Sequence, residues 1–166
     1  MAEYTLVQPT KTIQYKGYLH FRELWSHLRV IIERNGYDYL EKDHNEIVHE
    51  NGKDIHIHFD SDRRMSDYVK IRMRLVCTVK DLKNVTTILD EKEVQTQEAD
   101  FTLTAEAYVV SDFEGRWQNK ATLFFLRVIG EKFFLQREMK KFDQLAKKDV
   151  ANVLNETKKY LNLETP

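Results

Sequence analysis

Two stretches of this chain, residues 68–79 and 100–110, alternate apolar and polar side chains almost without interruption. A period of two suits only an extended strand buried on one face. In the first stretch Val69, Ile71, Met73, Leu75, Cys77 and Val79 face one way, and Lys70, Arg72 and Arg74 the other. In the second, Phe101, Leu103, Ala105, Ala107 and Val109 oppose Thr102, Thr104, Glu106 and Tyr108. One-sided strands of this kind belong to antiparallel sheets, whose apolar face must be covered by something else. Residues 12–19 alternate similarly and predict a first strand. Glu50-Asn51-Gly52-Lys53 predicts a hairpin, since Asn-Gly accepts the positive φ angles of a type I′ turn. A two-residue turn at Asn51-Gly52 sets His49 opposite Asp54 and Val48 opposite Ile55. It groups Val48, Ile55, Ile57 and Phe59 on one side, and His49, Asp54, His56, His58 and Asp60 on the other. Residues 81–100 are polar and acidic, and predict an exposed excursion with a short strand at 86–89.

Helices supply the cover. Over 20–35, Phe21, Leu24, Trp25, Leu28, Ile31 and Ile32 recur at helical spacing, and Gly36 stands where a left-handed C-cap belongs. From Asn119 the period becomes helical again. Leu123, Phe124, Phe125, Leu126, Val128, Ile129, Phe133, Phe134 and Leu135 are more apolar than one docking face requires. A further amphipathic helix over 142–163 carries the stripe Leu145/Ala146, Val150, Val153/Leu154, Thr157 and Leu161. The expected fold is α+β: an antiparallel sheet of four to five strands, packed on one face by an N-terminal helix and two C-terminal helices.

With 166 residues, five glycines and prolines only at positions 9 and 166, the chain offers no linker and predicts a single domain. Residues 1–9 are expected to be a loose arm, 10–113 the strand–helix–sheet portion, and 119–163 the C-terminal helices. One cysteine excludes a disulfide framework and a cysteine-built zinc or iron–sulfur site. A net charge of −1 removes the basic excess typical of nucleic-acid binders. No apolar run reaches the roughly 18 residues of a membrane span, and the N-terminus has no basic–apolar signal pattern. A cytoplasmic protein is expected.

Three groups of side chains could carry chemistry. His56 and His58 share a strand face with His49 and Asp54, a donor set suited to zinc, because spacing of two aims both imidazoles at one ion. The alternative is a solvated sheet face with cross-strand pairs. Arg64, Lys70, Arg72 and Arg74, with Arg63, Tyr68 and Tyr108 nearby, could hold single-stranded nucleic acid by phosphate neutralisation and stacking, or pair with Asp54, Asp60, Asp62, Asp67 and Glu106. Balanced charge favours pairing, and nucleic acid is not the expected partner. Cys77 lies on an apolar face, where a thiol is inert. No phosphate loop, nucleophile elbow or His-Glu-x-x-His occurs, so no catalytic residue and no enzyme is expected. The aromatic side chains Phe101, Trp117, Phe124, Phe125, Phe133 and Phe134 could line a cavity of the helix-grip kind, or serve as core.

The residues Tyr15-Lys16-Gly17, Leu24, Gly36-Tyr37, Glu41-Lys42, Asp67-Tyr68-Val69-Lys70 and Tyr160-Leu161-Asn162-Leu163-Glu164-Thr165 together resemble a family of small uncharacterised proteins encoded in archaeal genomes. The resemblance spans most of 15–165 and implies a cytoplasmic protein with no assigned activity, substrate or site residue. His56-x-His58 lies outside its pattern.

The functional expectation is a non-catalytic protein-interaction or self-assembly module, a homo-oligomer using Phe124, Phe125, Val128, Ile129 and Phe133 as its interface. Surplus apolar helix surface commonly marks a contact with another chain. The alternatives are a helix-grip-like small-molecule binder and a zinc protein using His49, Asp54, His56 and His58. No other cofactor is implied.

Overall fold

A computed structural model describes residues 2–89, 92–114, 129 and 136–163. The elements are β1 (Glu3–Leu19), α1 (Phe21–Arg34), β2 (Asp38–His49), β3 (Gly52–Arg64), β4 (Val69–Leu89), β5 (Lys92–Ser111) and α2 (Gln136–Leu163). The five strands form one antiparallel sheet in the order β1-β5-β4-β3-β2. The fold is α+β, with both helices on the same face of the sheet. α2 lies over β1, β5 and β4, and α1 packs between α2 and β2.

Alternation built this core as expected. Val69, Ile71, Met73, Leu75, Cys77 and Val79 of β4 are buried with Phe101, Leu103, Ala105, Ala107 and Val109 of β5. The helices meet them with Leu24, Leu28, Ile31 and Ile32 of α1 and with Ala146, Val150, Val153, Leu154 and Leu161 of α2. Thr157, also in that buried stripe, donates its hydroxyl to the Val153 carbonyl at 2.7 Å, so it enters the core satisfied. Gly36 ends α1 at φ +80°. Tyr37 N–H donates to the Ile32 carbonyl and Gly36 N–H to that of Glu33, the two bonds of a Schellman motif.

Four expectations need correction. Residues 3–9 are not a loose arm: they pair with the end of β5, Glu3 opposite Ser111 and Tyr4 opposite Val110. Pro9 hid this, but it sits within the register shift between Gln8 and Lys11 on an edge strand, where its missing N–H breaks no ladder. Residues 81–100 do form an exposed excursion, but strand structure runs through nearly all of it rather than over 86–89 alone. β4 and β5 run through a bulge between Lys80 and Lys83 and continue as a hairpin to Leu89 and Lys92. Third, the β2–β3 hairpin turns at Glu50-Asn51, with His49 opposite Gly52 and Ile47, not His49, opposite Asp54. The register moves by two residues, so each side chain keeps its expected face. Glu50, Asn51 and Gly52 all have negative φ. Gly52 is needed for a different reason: a Cβ there would lie 3.0 Å from the Leu82 carbonyl oxygen. Val48, expected with Ile55, ends up 78% exposed beyond the reach of the helices.

The fourth concerns the helices. Two, not three, are present among the described residues, and the C-terminal one begins at Gln136 rather than Phe142. The helix expected over 119–135, with Phe124, Phe125, Val128 and Phe133, lies outside the described residues. Ile129 alone of that interface set is described, as helical and exposed. Trp117 and Phe134 also fall outside.

Candidate functional site

Because the helices occupy one face, every second residue of β3, β4 and β5 projects from the other, and the register decides what meets what. Asp62 stands opposite Arg72, and Asp60 opposite Arg74. Tyr108 and Glu106 of β5 continue the same rows. Arg72 grips Asp62 with two donors, Nε and Nη2, each 2.7 Å from a carboxylate oxygen. Lys70 Nζ reaches the same carboxylate at 2.7 Å. Burial opposes the Asp62 charge, but the hydrogen bonds from Arg72 and Lys70 prevail and hold its carboxyl below the usual range. Asp60, buried beneath them, lies 3.3 Å from Arg74 Nε, 3.7 Å from Arg72 Nη1 and 3.6 Å from His58 Nε2.

The aromatic side chains cover these cations. Tyr4 lies under Arg72, Tyr108 under Arg74, and Phe113 under both Arg64 and Lys70, at ring distances of 5.2–5.7 Å. Tyr108 donates its hydroxyl to Glu106, which depresses the Glu106 carboxyl. Arg64 is held by Asp67 at 2.7 Å and Glu114 at 3.3 Å. The basic set Arg64, Lys70, Arg72 and Arg74 is therefore assembled on one face but engaged by carboxylates within the chain. A phosphate would have to compete with carboxylates already in place, bidentate at Arg72. Arg63 points to the opposite, helix-covered face.

The pH dependence of this lattice has a definite sign. A carboxyl held low in the folded state stabilises the fold above its unfolded value of about pH 4, and that contribution vanishes as pH falls through the lower folded value. Asp62→Asn should cost about 2 kcal/mol at pH 7. Urea unfolding at successive pH values should show wild type and variant converging in acid.

The histidines and Asp54 share a face but not a point. His49 Nε2 pairs with Asp54 at 3.2 Å beside the hairpin turn. Asp54 also accepts the Asp81 N–H at 2.9 Å, which ties the turn to the β4 bulge, where Asp81 has φ +54°. That backbone bond, and then His49, lowers the Asp54 carboxyl. His56 Nδ1 meets the Thr78 hydroxyl at 3.2 Å, and His58 lies beside Asp60. Among the described residues no group of three His, Cys, Asp or Glu side chains is arranged to hold a metal ion. Cys77 is fully buried, and desolvation pushes its thiol up to about 12, so no thiolate forms at neutral pH.

Two features were not singled out in the sequence. The first is a polar clamp on the helix side. Tyr37 Oη donates to Asp149 of α2 at 2.9 Å, and Arg63 Nη1 donates to the same carboxylate oxygen at 3.2 Å. No periodicity could pair residues 112 apart in sequence. The second is a two-stranded arm. β3 leaves β4 at Leu82, and β1 leaves β5 at Gln97, but β4 and β5 go on pairing from Lys83–Glu98 to Leu89–Lys92. Seven residues of β4 and five of β5 run past their outer neighbours, about 15–20 Å. Gln97 anchors its base: the side chain accepts the Phe21 N–H at 3.1 Å and donates to Asn84 at 3.1 Å. That bond caps α1, whose N-cap His20 makes no side-chain cap. An open cleft of about 610 Å³ lies between this helix end and the arm, lined by His20, Arg22, Asn84, Thr86 and Gln95. The signal for the arm was the β-branched run Val85-Thr86-Thr87-Ile88, seen in sequence as a short strand.

No known family's sequence pattern matches the chain, and no curated protein sequence matches it. Among solved structures, an uncharacterised protein from Rhizobium leguminosarum is similar over 99% of each chain, at 8% identity and a TM-score of 0.26. At that level the likeness says nothing of function. Among the described residues no helix is long and apolar enough to cross a membrane.

Proposed function

We propose that this protein is a non-catalytic interaction module that assembles with copies of itself in the cytoplasm. The arm formed by the ends of β4 and β5 carries the reading. It projects from the sheet with Ile88 74% exposed and backbone edges that no other described strand meets. A two-stranded ribbon is marginal alone in water, and an uncovered edge invites a further strand. The internally paired open face and the inert Cys77 agree with a role other than chemistry. The reading also assigns the apolar sequence around Phe124, Phe125, Val128, Ile129 and Phe133 to the contact, as its composition led one to expect. Light scattering and native mass spectrometry of the full chain test the reading, with a discrete oligomer as the expected result. Phe124→Asp with Phe125→Asp should reduce that oligomer to a folded smaller species. A monomeric wild type would refute self-assembly.

A second reading rests on α2, a 28-residue helix laid across an antiparallel sheet. Helix-grip binders of small molecules share that layout, and native spectra that retain an extra organic mass would favour it. For a zinc site at His49, Asp54, His56 and His58, metal analysis of the untagged protein should lose its signal in the His56→Ala and His58→Ala variants.

A further inference from the structure

We infer that the contact is made by the outer edge of β4 from Asn84 to Ile88, and that its occupant is the same edge of a second copy, added antiparallel about a two-fold axis at Thr86 or Thr87. The inference deepens the self-assembly reading and rests on it.

The two edges of the arm differ in kind. The β5 edge carries Lys92 and Glu93, charges of the sort that discourage strand addition. The β4 edge, Asn84-Val85-Thr86-Thr87-Ile88, has no charge, no proline, no glycine and no bulge. Lys83 at its base is already neutralised by Glu98 at 3.1 Å. Every second N–H and C=O along this edge points away from β5, and among the described residues no strand meets them beyond Leu82.

The edge is also complementary to itself. Antiparallel pairing about Thr86 sets Val85 opposite the other copy's Thr87, and pairing about Thr87 sets Thr86 opposite the other copy's Ile88. These are β-branched and threonine pairs of the type that stabilise sheets, and neither register juxtaposes like charges. A charged peptide would find no counter-charge along these five residues. A copy of the same segment, paired about Thr86, brings β-branched partners to its central positions, Val85 to Thr87. There is room for it: an open notch of about 520 Å³ lies in line with the edge, between the β2–β3 turn and Leu82-Lys83-Asn84. The exposed Val48 lines it. The product is one continuous ten-stranded sheet through two subunits, with an isologous contact as closed dimers require.

The test uses the full chain with the double variants Thr86→Lys/Thr87→Lys and Thr86→Glu/Thr87→Glu. Thr86 is exposed and Thr87 half-buried on the arm, and circular dichroism checks that each variant is folded. In either register the lysine pair faces its own copy, so its dimer dissociation constant should rise about 100-fold. The glutamate variant should behave the same way, and an equimolar mixture should restore a dimer, seen as the mixed mass. In wild type the amides of 84–88 should gain hydrogen-exchange protection as concentration rises. An oligomer that ignores both variants overturns the edge pairing and leaves the self-assembly reading standing. A monomeric wild type overturns both. Folded variants that dissociate without mixed rescue, or edge amides protected equally at all concentrations, assign the edge to another occupant, such as a segment of the same chain, and overturn the inference.

Discussion

Phe59→Ala should lower the unfolding free energy by about 3–5 kcal/mol, enough to depress the melting temperature by about 10 °C or more. Phe59 is completely buried on the helix side of β3. Its ring meets Trp25 of α1 edge-on at 5.2 Å and Tyr39 of β2 at 5.0 Å. Alanine there removes apolar burial and two aromatic contacts of a triad in which Trp25, Tyr39 and Phe59 each meet the other two, and α1 and β2 cannot both move in to fill the space. Chemical denaturation measures the loss, and Trp25 emission should shift to the red as water reaches the indole. Phe59→Leu, which keeps most of the volume, should cost well under half as much.

Asp149→Ala should cost about 3 kcal/mol by a different route. The Asp149 carboxylate accepts both the Tyr37 hydroxyl and Arg63, and Tyr37 is only 2% exposed. Alanine leaves a buried hydroxyl without its acceptor and a cation without its counter-charge, so the penalty is mostly that of stranded polar groups. Burial, reinforced by the Asp149 charge, pushes the Tyr37 hydroxyl well above its usual range. Tyr37 should therefore stay un-ionised in alkaline absorbance titrations until the protein unfolds. Tyr37→Phe removes the donor but leaves Arg63 on Asp149, and should cost less than half as much. A double-mutant cycle between Tyr37→Phe and Asp149→Ala isolates the hydrogen bond.

These two sites differ in how far they could be foreseen. Phe59 was placed on the apolar side of its strand by alternation, which records the facing of each residue independently of register. The Tyr37–Asp149–Arg63 clamp was not foreseen, because the turn after α1, β3 and α2 come together only once the helices cross the sheet. The hairpin shows the same division within a few residues. His49 and Asp54 share a face and form a pair as the period of two required, yet Asn51-Gly52 is not the turn. The glycine answers to the Leu82 backbone, a neighbour 30 residues away in sequence that no local pattern reveals.

Periodicity by itself determined the fold class, the buried stripes of both described helices and the polarity of each sheet face, since these depend only on which side chains follow one another at spacings of 2 or 3.6 residues. Strand extent was decided by pairing. Glu3–Gln8 and Lys92–Glu98 become strands because a neighbour supplies hydrogen-bond partners, although Pro9 and the acidic composition argued otherwise locally. The fate of the charged residues was decided by register. Arg72 and Asp62 are 10 positions apart, and balanced charge favoured pairing without saying which of five carboxylates each cation would meet. Only the β3–β4 alignment brings them within 2.7 Å, turning a candidate anion-binding surface into a self-satisfied one. The arm belongs to the tertiary structure too: an edge is exposed only relative to the strands that stop short of it, and where β1 and β3 stop is set by the helix and the turn at their ends.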